Sequence, residues 1–587
     1  MMHRLTNVTK TFGVALGAGF AALLLWTASA GAATCVGFFC PPPTHTTTTT
    51  TSSSSSTVTS TATSTTSTAT DPPPAGLPSA TLIPATSGTH GFAYDAVPPP
   101  SGVPGAPALT TASLAAAGYV EQEYQLSGTA KEYAESGSWG TNGDWNVKAN
   151  GTAPYTTRII VRYPTNPAQF NGTVVFEWLN DTTGGDQDPV WAQINSELIS
   201  HGFAYVGVTA QESGMSDLAT WDPARYGSLG DSSDAESYDI FTQAAEVVKD
   251  DPAILGGLTT KVEIGTGDSQ SAFRIDTYVN AIQPLTHAFN AFLGVGRAVV
   301  AAPIGNGLIS LTPWPALIRT NNTAPFIELN TQGDVLELQS ALARQPDNTD
   351  LRTWEVAGAA HIDAHEGAYE TETIAREQPT AAIPMCVGGT PIEGTGTALD
   401  GINQPDNMPL WEVEEAAVAA LQNWVVNGVP APKESSYLST TSILGLLDVP
   451  NVNKYGVASG GIQLPESTVP TENYSVINLS NIDASEFQLG NLISEAEAAI
   501  QTFETGSISN PTLRSAGLCL LSGYFTDLGN STLQSLYPSA AAYASKYDAA
   551  ANSVEAAGFI TPADAAAAEA NANADIGNFQ QPEVSIP

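Results

Sequence analysis

The chain has 587 residues, of which 42% are hydrophobic, and this is enough apolar material for a large folded domain. Charged residues make up only 13% of the chain, and 58 acidic residues against 19 Lys and Arg give a formal net charge of -39. Nucleic-acid binding requires clustered Lys and Arg that neutralise phosphates, and no segment of this sequence is basic. The composition therefore excludes nucleic acid as a partner.

The N-terminal segment has the pattern of an export signal. His3, Arg4 and Lys10 precede an apolar run over residues 12–26, and small residues follow at positions 28–33. A membrane-spanning helix needs about 20 apolar residues, and this shorter run is followed by residues typical of a cleavage site. We therefore predict a signal peptide over residues 1–33 and a secreted protein, extracellular or at the cell surface. An uncleaved N-terminal anchor is the alternative.

Residues 34–108 are rich in Thr, Ser and Pro, and they include six consecutive Thr at 46–51 and five consecutive Ser at 52–56. Such a segment has too little apolar surface to fold. We predict a disordered stalk that separates the folded domain from a surface and allows tethering to a cell.

The chain contains four cysteines. Export to an oxidising compartment favours disulfides, and the simplest pairing joins Cys35 to Cys40 and Cys386 to Cys519. No two cysteines have the C-x-x-C spacing, so the sequence does not support a structural zinc site or a redox motif.

From residue 109 onward, β-rich apolar runs alternate with segments of helical periodicity. This alternation predicts an α/β fold with a mostly parallel, doubly wound sheet. The predicted strands are residues 157–163, 173–178, 203–209, 262–265, 298–302, 326–330 and 352–357, and the predicted helices are 193–201, 235–249, 271–282 and 411–427. We assign the core to residues 109–432. Residues 433–587, with helices predicted at 536–558 and 562–574, form a C-terminal extension that is a candidate lid.

The strongest chemical signal is Gly267-Asp268-Ser269-Gln270-Ser271, which lies directly between a predicted strand and a predicted helix. A serine on such a tight turn needs small residues two positions away on either side, because the backbone packs closely there and leaves the hydroxyl exposed. We therefore predict that Ser269 is a nucleophile. An ordinary serine that caps a helix is the alternative.

A serine nucleophile needs a histidine to take its proton and an acid to orient the imidazole. Asp334 and His361 follow in the chain, each just after a late predicted strand, so both are expected at the carboxyl edge of the sheet. We predict that Asp334 is the acid and His361 the base. The alternatives are His365 for the base and, for the acid, Glu337, Asp347 and Asp350.

Other parts of the site are predicted from the same edge of the sheet. The oxyanion hole is expected from the backbone N–H groups of Gln270 and of Leu179 and Asn180, which follow the strand at 173–178. Trp178 and Trp191 bracket an aromatic-rich loop that is expected to bind substrate. A metal site is a weaker alternative, with ligands His361, Asp363, His365 and Glu366. This segment lacks the H-E-x-x-H pattern, and we predict neither a metal nor a cofactor.

Several stretches together resemble one known family, the alpha/beta hydrolase domain-containing proteins. They are residues 170–180, the elbow 267–272 with the family's G-x-S-Q-S-A pattern, residues 354–361 and the tail around Gly460-Gly461-Ile462. The resemblance extends over about residues 109–574 and implies an α/β-hydrolase fold in which the tail belongs to the hydrolase module. It also implies Ser269, Asp334 and His361 as nucleophile, acid and base.

The predicted activity is cleavage of a carboxylic ester through an acyl-enzyme, with a small-molecule, lipid or polymeric ester as substrate. A serine peptidase or amidase is the second hypothesis, because the same triad cleaves amides. A stalked surface-binding protein without activity is the third, since a fold does not determine function.

Overall fold

The computed structural model describes residues 76–84, 114–182, 185–231, 233–305, 312–322, 324–377, 385–386, 390–391, 405–445, 447–478 and 518–574. The predicted signal peptide, most of the predicted stalk, and Cys35 and Cys40 lie outside these residues. Within the described residues, no helix is both long enough and apolar enough to cross a membrane.

A large mixed sheet organises the described chain. Its strands are β1 (Ser79–Ile83), β2 (Tyr119–Glu135), β3 (Val147–Pro164), β4 (Thr173–Trp178), β5 (Ala204–Val208), β6 (Val262–Asp268), β7 (Ala291–Val295), β8 (Phe326–Thr331) and β9 (Leu351–Val356). They lie in the order β1-β2-β3-β5-β4-β6-β7-β8-β9. The strands from β5 to β9 are parallel, whereas β1, β2 and β3 extend one edge by antiparallel pairing.

Helices follow most of the parallel strands. They are α1 (Pro189–Ser200), α2 (Glu212–Trp221), α3 (Pro223–Tyr226), α4 (Ser237–Asp250), α5 (Gln270–Thr277), α6 (Gln283–Thr286), α7 (Gln332–Glu337), α8 (Ala364–Glu377), α9 (Leu410–Asn427), α10 (Pro465–Thr468), α11 (Asn530–Leu536), α12 (Ala540–Ala557) and α13 (Pro562–Ala574). Short strand pairs join β10 (Met385–Cys386) to β11 (Thr390–Pro391), β12 (Thr440–Ile443) to β13 (Leu447–Pro450), and β14 (Glu472–Ser475) to β15 (Tyr524–Asp527).

Two hydrophobic layers cover the two faces of the sheet, as the doubly wound prediction requires. One layer packs α1 and α9 together with the tail helices, and the ring of Phe559 meets the ring of Trp354 from β9 edge to face at 5.0 Å. The other layer packs α4 and α5, where the rings of Phe241 and Phe289 stack at 5.0 Å. Because β4 is buried on both faces, all six of its side chains are buried.

The structure corrects the prediction at 298–302 and within the stalk, and it adds the strand β2, which was not predicted. The prediction of a strand at 298–302 is wrong, because in the structure the strand of this region is β7, Ala291–Val295. Both segments are short apolar runs, and periodicity cannot choose between such runs. The strand β1 also lies inside the segment predicted as stalk. It pairs with β2 over five residues, and its Ile83 side chain packs among residues of α2 and α3.

The described part of the tail is packed into the domain. Rings of Tyr543 and Tyr547 from α12 belong to the hydrophobic layer that covers the sheet, together with Phe559. The segment around Leu521 runs beside the loop after β9, where the N–H of Ile362 donates to the carbonyl of Leu521 at 3.1 Å. These tail residues therefore stabilise the core, while the lid role predicted for residues 433–587 stays a prediction; residues 479–517 and 575–587 of this tail lie outside the described chain.

Candidate active site

The site lies where the sheet reverses its winding. The chain passes from β4 through α1 to β5 on one side of β4, and later returns as β6 on the other side. Loops that leave the carboxyl ends of two such strands diverge and open a crevice between them. The loop after β4 begins with Leu179 and Asn180, and the turn after β6 carries Ser269.

Ser269 occupies the turn between β6 and α5 in a conformation that few side chains adopt. Its φ is 54° and its ψ is −121°. A positive φ is strained for a residue other than glycine, and such strain is typical of functional sites. Gly267 makes the turn possible, because a Cβ there would lie 2.9 Å from the backbone carbonyl carbon of Ser271. Ser269 itself is half-buried, so its hydroxyl is reachable.

Hydrogen bonds join the three predicted triad residues. The Nε2 atom of His361 lies 2.8 Å from Oγ of Ser269, and Nδ1 lies 2.5 Å from Oδ1 of Asp334. Asp334 is held by the capping box of α7: its Oδ2 accepts from the N–H of Thr331 at 2.6 Å, and its own N–H donates to Oγ1 of Thr331 at 3.0 Å. The box leaves Oδ1 free to face the imidazole.

Three carboxyl groups surround the imidazole of His361. Burial lowers its pKa, but the charge and hydrogen bond of Asp334 outweigh this effect, and the pKa is raised to about 9. Asp268 and Glu337 add to the increase. In turn, burial raises the pKa of Asp268 to about 7. Gly296 lies close to both groups, since a Cβ there would lie 2.8 Å from Cε1 of His361 and 3.3 Å from Oδ1 of Asp268.

Asp268 and Gly296 were not among the predicted site residues. The position of Asp268 directly before the nucleophile is a signal that sequence analysis can use, whereas nothing local marks Gly296. Glu337, predicted as an alternative acid, lies one helical turn after Asp334, and its carboxylate accepts from no described group.

The structure corrects the predicted oxyanion hole in part. The N–H of Leu179 already donates to the carbonyl of Val208 at 3.2 Å, and the N–H of Asn180 donates to Gln187 at 2.9 Å, so neither is available. The N–H of Gln270, at the start of α5, donates to no described group, as expected for the first turn of a helix.

Asn180 has a different role, which comes from its side chain. Its Nδ2 donates to the carbonyl of Asp268 at 3.1 Å, and its Oδ1 accepts from the N–H of Thr182 at 2.8 Å. A second contact, from Oγ of Ser271 to the carbonyl of Leu179 at 3.3 Å, also ties the loop to the elbow. Among the described N–H groups of this loop, that of Asp181 donates to no described group.

Trp178 and Trp191 do not line a substrate pocket. Trp178 is fully buried, packs its ring against Phe241 at 5.1 Å and donates from Nε1 to Gln211 at 2.9 Å. Trp191 lies under the guanidinium of Arg162, 4.3 Å from the ring centroid. Both indoles belong to the core, and this part of the prediction is corrected.

The alternative residues are engaged elsewhere. His365 donates from Nε2 to the carbonyl of Ala192 at 3.0 Å and stacks on Trp411, and burial lowers its pKa to about 4. Asp347 pairs with Arg352 at 3.7 Å. Within the described chain, no group of three His, Cys, Asp or Glu residues is arranged to hold a metal ion.

Cys519 is buried and disulfide-bonded. Cys386 lies in β10, but its side chain is outside the described part, so its pairing with Cys519 stays a prediction.

Gly267→Ala is expected to lower the rate of nucleophile labelling by about 100-fold, because a shift of the elbow by roughly 1 Å misaligns the attacking atom. The Cβ would collide with the backbone of Ser271, which cannot rotate away as a flexible side chain would. Gly529→Ala is the matched control, since a Cβ there meets nothing within 4 Å. The measurement is the rate constant for inactivation by a fluorophosphonate, and equal rates in the two variants would contradict the structural role of Gly267.

The parallel sheet with its reversal at β4, the strained serine after β6, and the acid and histidine after β8 and β9 define an α/β hydrolase. The family model described as "Alpha/beta hydrolase domain" matches residues 84–570 of this chain, tail included. The chain therefore belongs to this family, and both the predicted fold and the resemblance are confirmed.

Solved structures similar to this chain have low sequence identity. A dienelactone hydrolase from Anabaena variabilis ATCC 29413 is 13% identical, with 42% of this chain and 96% of that chain covered and a TM-score of 0.23. Est1E from Butyrivibrio proteoclasticus is 8% identical, with coverages of 38% and 93% and a TM-score of 0.23. An alpha-beta serine hydrolase homologue from Coxiella burnetii is 11% identical, with coverages of 39% and 93% and a TM-score of 0.24. No curated protein matches the chain.

Proposed function

We propose that this hydrolase cleaves carboxylic esters through an acyl-enzyme on Ser269. The observation that carries the proposal is the line of hydrogen bonds from the half-buried Ser269, through His361 at 2.8 Å, to the buried Asp334 at 2.5 Å. In this arrangement the nucleophile is accessible, while the base and the acid are protected from solvent.

The proposed reaction proceeds in two acyl transfers. Oγ of Ser269 attacks the ester carbonyl carbon while Nε2 of His361 takes the hydroxyl proton, and the carbonyl π electrons move onto oxygen. The N–H of Gln270 donates to this oxyanion, with Asp181 as the loop donor. When the C–O bond breaks, the imidazolium returns its proton to the leaving alcohol. Water then repeats the sequence on the acyl-enzyme and releases the acid.

An ester is the proposed substrate because an alcohol is an easier leaving group than an amine, which must be protonated before it departs. The same triad also attacks amides, so a peptidase is the competing activity. Comparing p-nitrophenyl butyrate with a peptide p-nitroanilide distinguishes the two. We expect kcat/KM for the ester to be at least about 100-fold higher than kcat/KM for the anilide. This ratio requires a difference of less than about 3 kcal/mol between the activation free energies of the two reactions. A higher kcat/KM for the anilide would favour peptidase activity over esterase activity.

Labelling with a fluorophosphonate tests the nucleophile without knowledge of the substrate. We expect mass spectrometry of the full-length protein to locate one covalent adduct, on Ser269, that is lost in His361→Ala because the imidazole no longer takes the proton. Ser535→Ala, at an exposed serine, is the matched control and keeps the adduct. If the well-folded wild-type protein forms no adduct, the hydrolase proposal fails.

A further inference from the structure

A cavity lies away from the triad, between the start of α9 and the tail helices α12 and α13. Its volume is about 70 Å³, and its wall includes Asn407, Trp411, Glu412, Glu466 and Tyr547. No residue of the triad, the elbow or the oxyanion loop lines it. The tail thus contributes to a cavity for which the proposed reaction has no use.

The wall of this cavity contains hydrogen-bond acceptors that have no donor. Oδ1 of Asn407, Oε2 of Glu412 and Oε2 of Glu466 are buried and accept from no described group. Glu412 is only 5% exposed, which makes an unpaired carboxylate there costly. No donor atom of the lining residues is buried and unpaired in the same way. All of the unsatisfied polar groups therefore require a donor.

All ionisable residues of the wall other than the tyrosines are acidic. Glu412, Glu466 and Glu472 line the cavity, and none of its lining residues is Lys, Arg or His. Tyr547 donates its hydroxyl to Oε1 of Glu466 and thereby fixes one carboxylate in place. A ligand that carries hydrogen-bond donors and a positive charge would satisfy the unpaired acceptors and also balance the negative charge of the wall.

Aromatic side chains complete the wall. Trp411, Tyr543 and Tyr547 are among the residues that line the cavity, and aromatic faces attract organic cations. No acidic cluster in the described chain has the arrangement that a metal ion requires. The wall thus favours an organic cation over a metal.

We propose that this cavity binds the primary ammonium group of an alkylamine. An ammonium group carries three donors and no acceptor, and the number of its donors equals that of the unsatisfied acceptors of Asn407, Glu412 and Glu466. The volume of about 70 Å³ is roughly that of two water molecules, which suffices for the ammonium and one or two carbons. The remainder of the amine extends beyond the cavity. The site is independent of the proposed esterase activity.

The competing explanation is that the carboxyl groups are simply protonated. Burial raises the pKa of Glu466 to about 7 and that of Glu412 well above its usual range. Protonated carboxyls carry their own donors, and in that case the cavity needs no cation. A titration at about pH 8 tests the two explanations at Glu466, because this carboxyl group is then largely ionised while alkylamines remain protonated.

Isothermal titration of the full-length protein with n-propylammonium chloride tests the proposal. We expect saturable binding that 1-propanol and NaCl at equal ionic strength do not show, and at least about tenfold weaker binding of tetramethylammonium, which has no N–H donors. The absence of saturable propylammonium binding would overturn the proposal in favour of protonated carboxyls. Displacement of the amine by CaCl2 at equal ionic strength would overturn it in favour of a metal site.

Two variants locate the site. Glu412→Gln and Glu466→Gln are each expected to weaken propylammonium binding by at least about tenfold, because each removes one charged acceptor. Glu555→Gln on α12, outside the cavity, is the matched control and retains wild-type affinity. Unchanged affinity in both cavity variants would overturn the proposal. Fluorophosphonate labelling of every variant reports separately on the catalytic fold, so a failed esterase proposal and a failed ammonium site are distinguishable.

Discussion

Ser269→Ala is expected to lower kcat for p-nitrophenyl butyrate by about 10⁵- to 10⁶-fold, since removal of a triad nucleophile leaves only binding and oxyanion stabilisation. The expectation depends on the 2.8 Å contact between the serine hydroxyl and Nε2 of His361. A residual rate above about one hundredth of wild type would mean that another group performs the chemistry.

Asp334→Asn is expected to lower kcat by about 10⁴-fold with little change in KM. In the capping box, Oδ2 of Asp334 accepts from the N–H of Thr331, so the oxygen of an Asn must take that position. Its NH2 group would then face Nδ1 of His361, force Nδ1 to accept, and place the ring proton on Nε2. An imidazole in that tautomer cannot take a proton from Ser269.

Asp350→Asn is the matched control for this variant, because the Asp350 side chain bonds to the neighbouring Thr349 and not to the histidine. Steady-state kinetics of the two variants at the same pH give the comparison. If the rate falls equally in both, Asp334 is not the residue that orients the imidazole.

The protein is expected to be more stable at pH 5 than at pH 9. Burial raises the pKa of Asp268 and Asp363 to about 7 and that of Glu370 to about 8, and all three are less than one-tenth exposed. In the unfolded chain these groups titrate near pH 4. The stability they contribute is therefore fully present below pH 4 and is lost as the pH rises through about 7 to 8.

The size of this effect follows from the shift of a single group. For Asp363, whose pKa is raised to about 7, the two pH units between pH 5 and pH 7 correspond to roughly 3 kcal/mol, taken as an order of magnitude. We expect the free energy of unfolding to fall by at least about 3 kcal/mol between pH 5 and pH 9, and the midpoint of thermal unfolding to fall with it. A midpoint that rises over this range would contradict the expectation.

Asp363→Asn identifies one source of the pH dependence. Oδ1 of Asp363 accepts from Gln193 at 3.2 Å and from the N–H of Glu366 at 2.8 Å, while Oδ2 has no partner in the described chain. An Asn keeps the first contacts and cannot ionise, so the variant is expected to show a smaller loss of stability between pH 5 and pH 9. Asp527→Asn, at an exposed position, is expected to retain the wild-type slope.

The same pH range affects catalysis in the opposite direction. A pKa of about 9 for His361 keeps the base protonated at neutral pH, so turnover is expected to rise as the pH increases towards that value. Stability and base ionisation thus oppose one another above neutrality.

Much of the site could be predicted from local sequence. The elbow is determined by a few adjacent residues, since small residues must flank Ser269 at a strained turn, and Gly267 meets that need. Asp334 and His361 could be predicted from their positions just after two late strands, because the carboxyl ends of parallel strands meet at one edge of the sheet. The parallel sheet itself followed from alternating strand and helix patterns.

Contacts between distant segments decided the rest. The N–H groups of Leu179 and Asn180 are occupied because β5 and the returning part of the same loop lie beside them, and no local pattern reveals these acceptors. Trp178 and Trp191 resemble pocket residues in sequence, but packing against Phe241 and Arg162 places them in the core. Likewise, the cavity proposed to bind an ammonium group forms where the start of α9 meets α12 and α13, which are distant in sequence. Local spacing thus determined the chemistry of the triad, whereas tertiary packing decided which neighbouring groups remain free to bind.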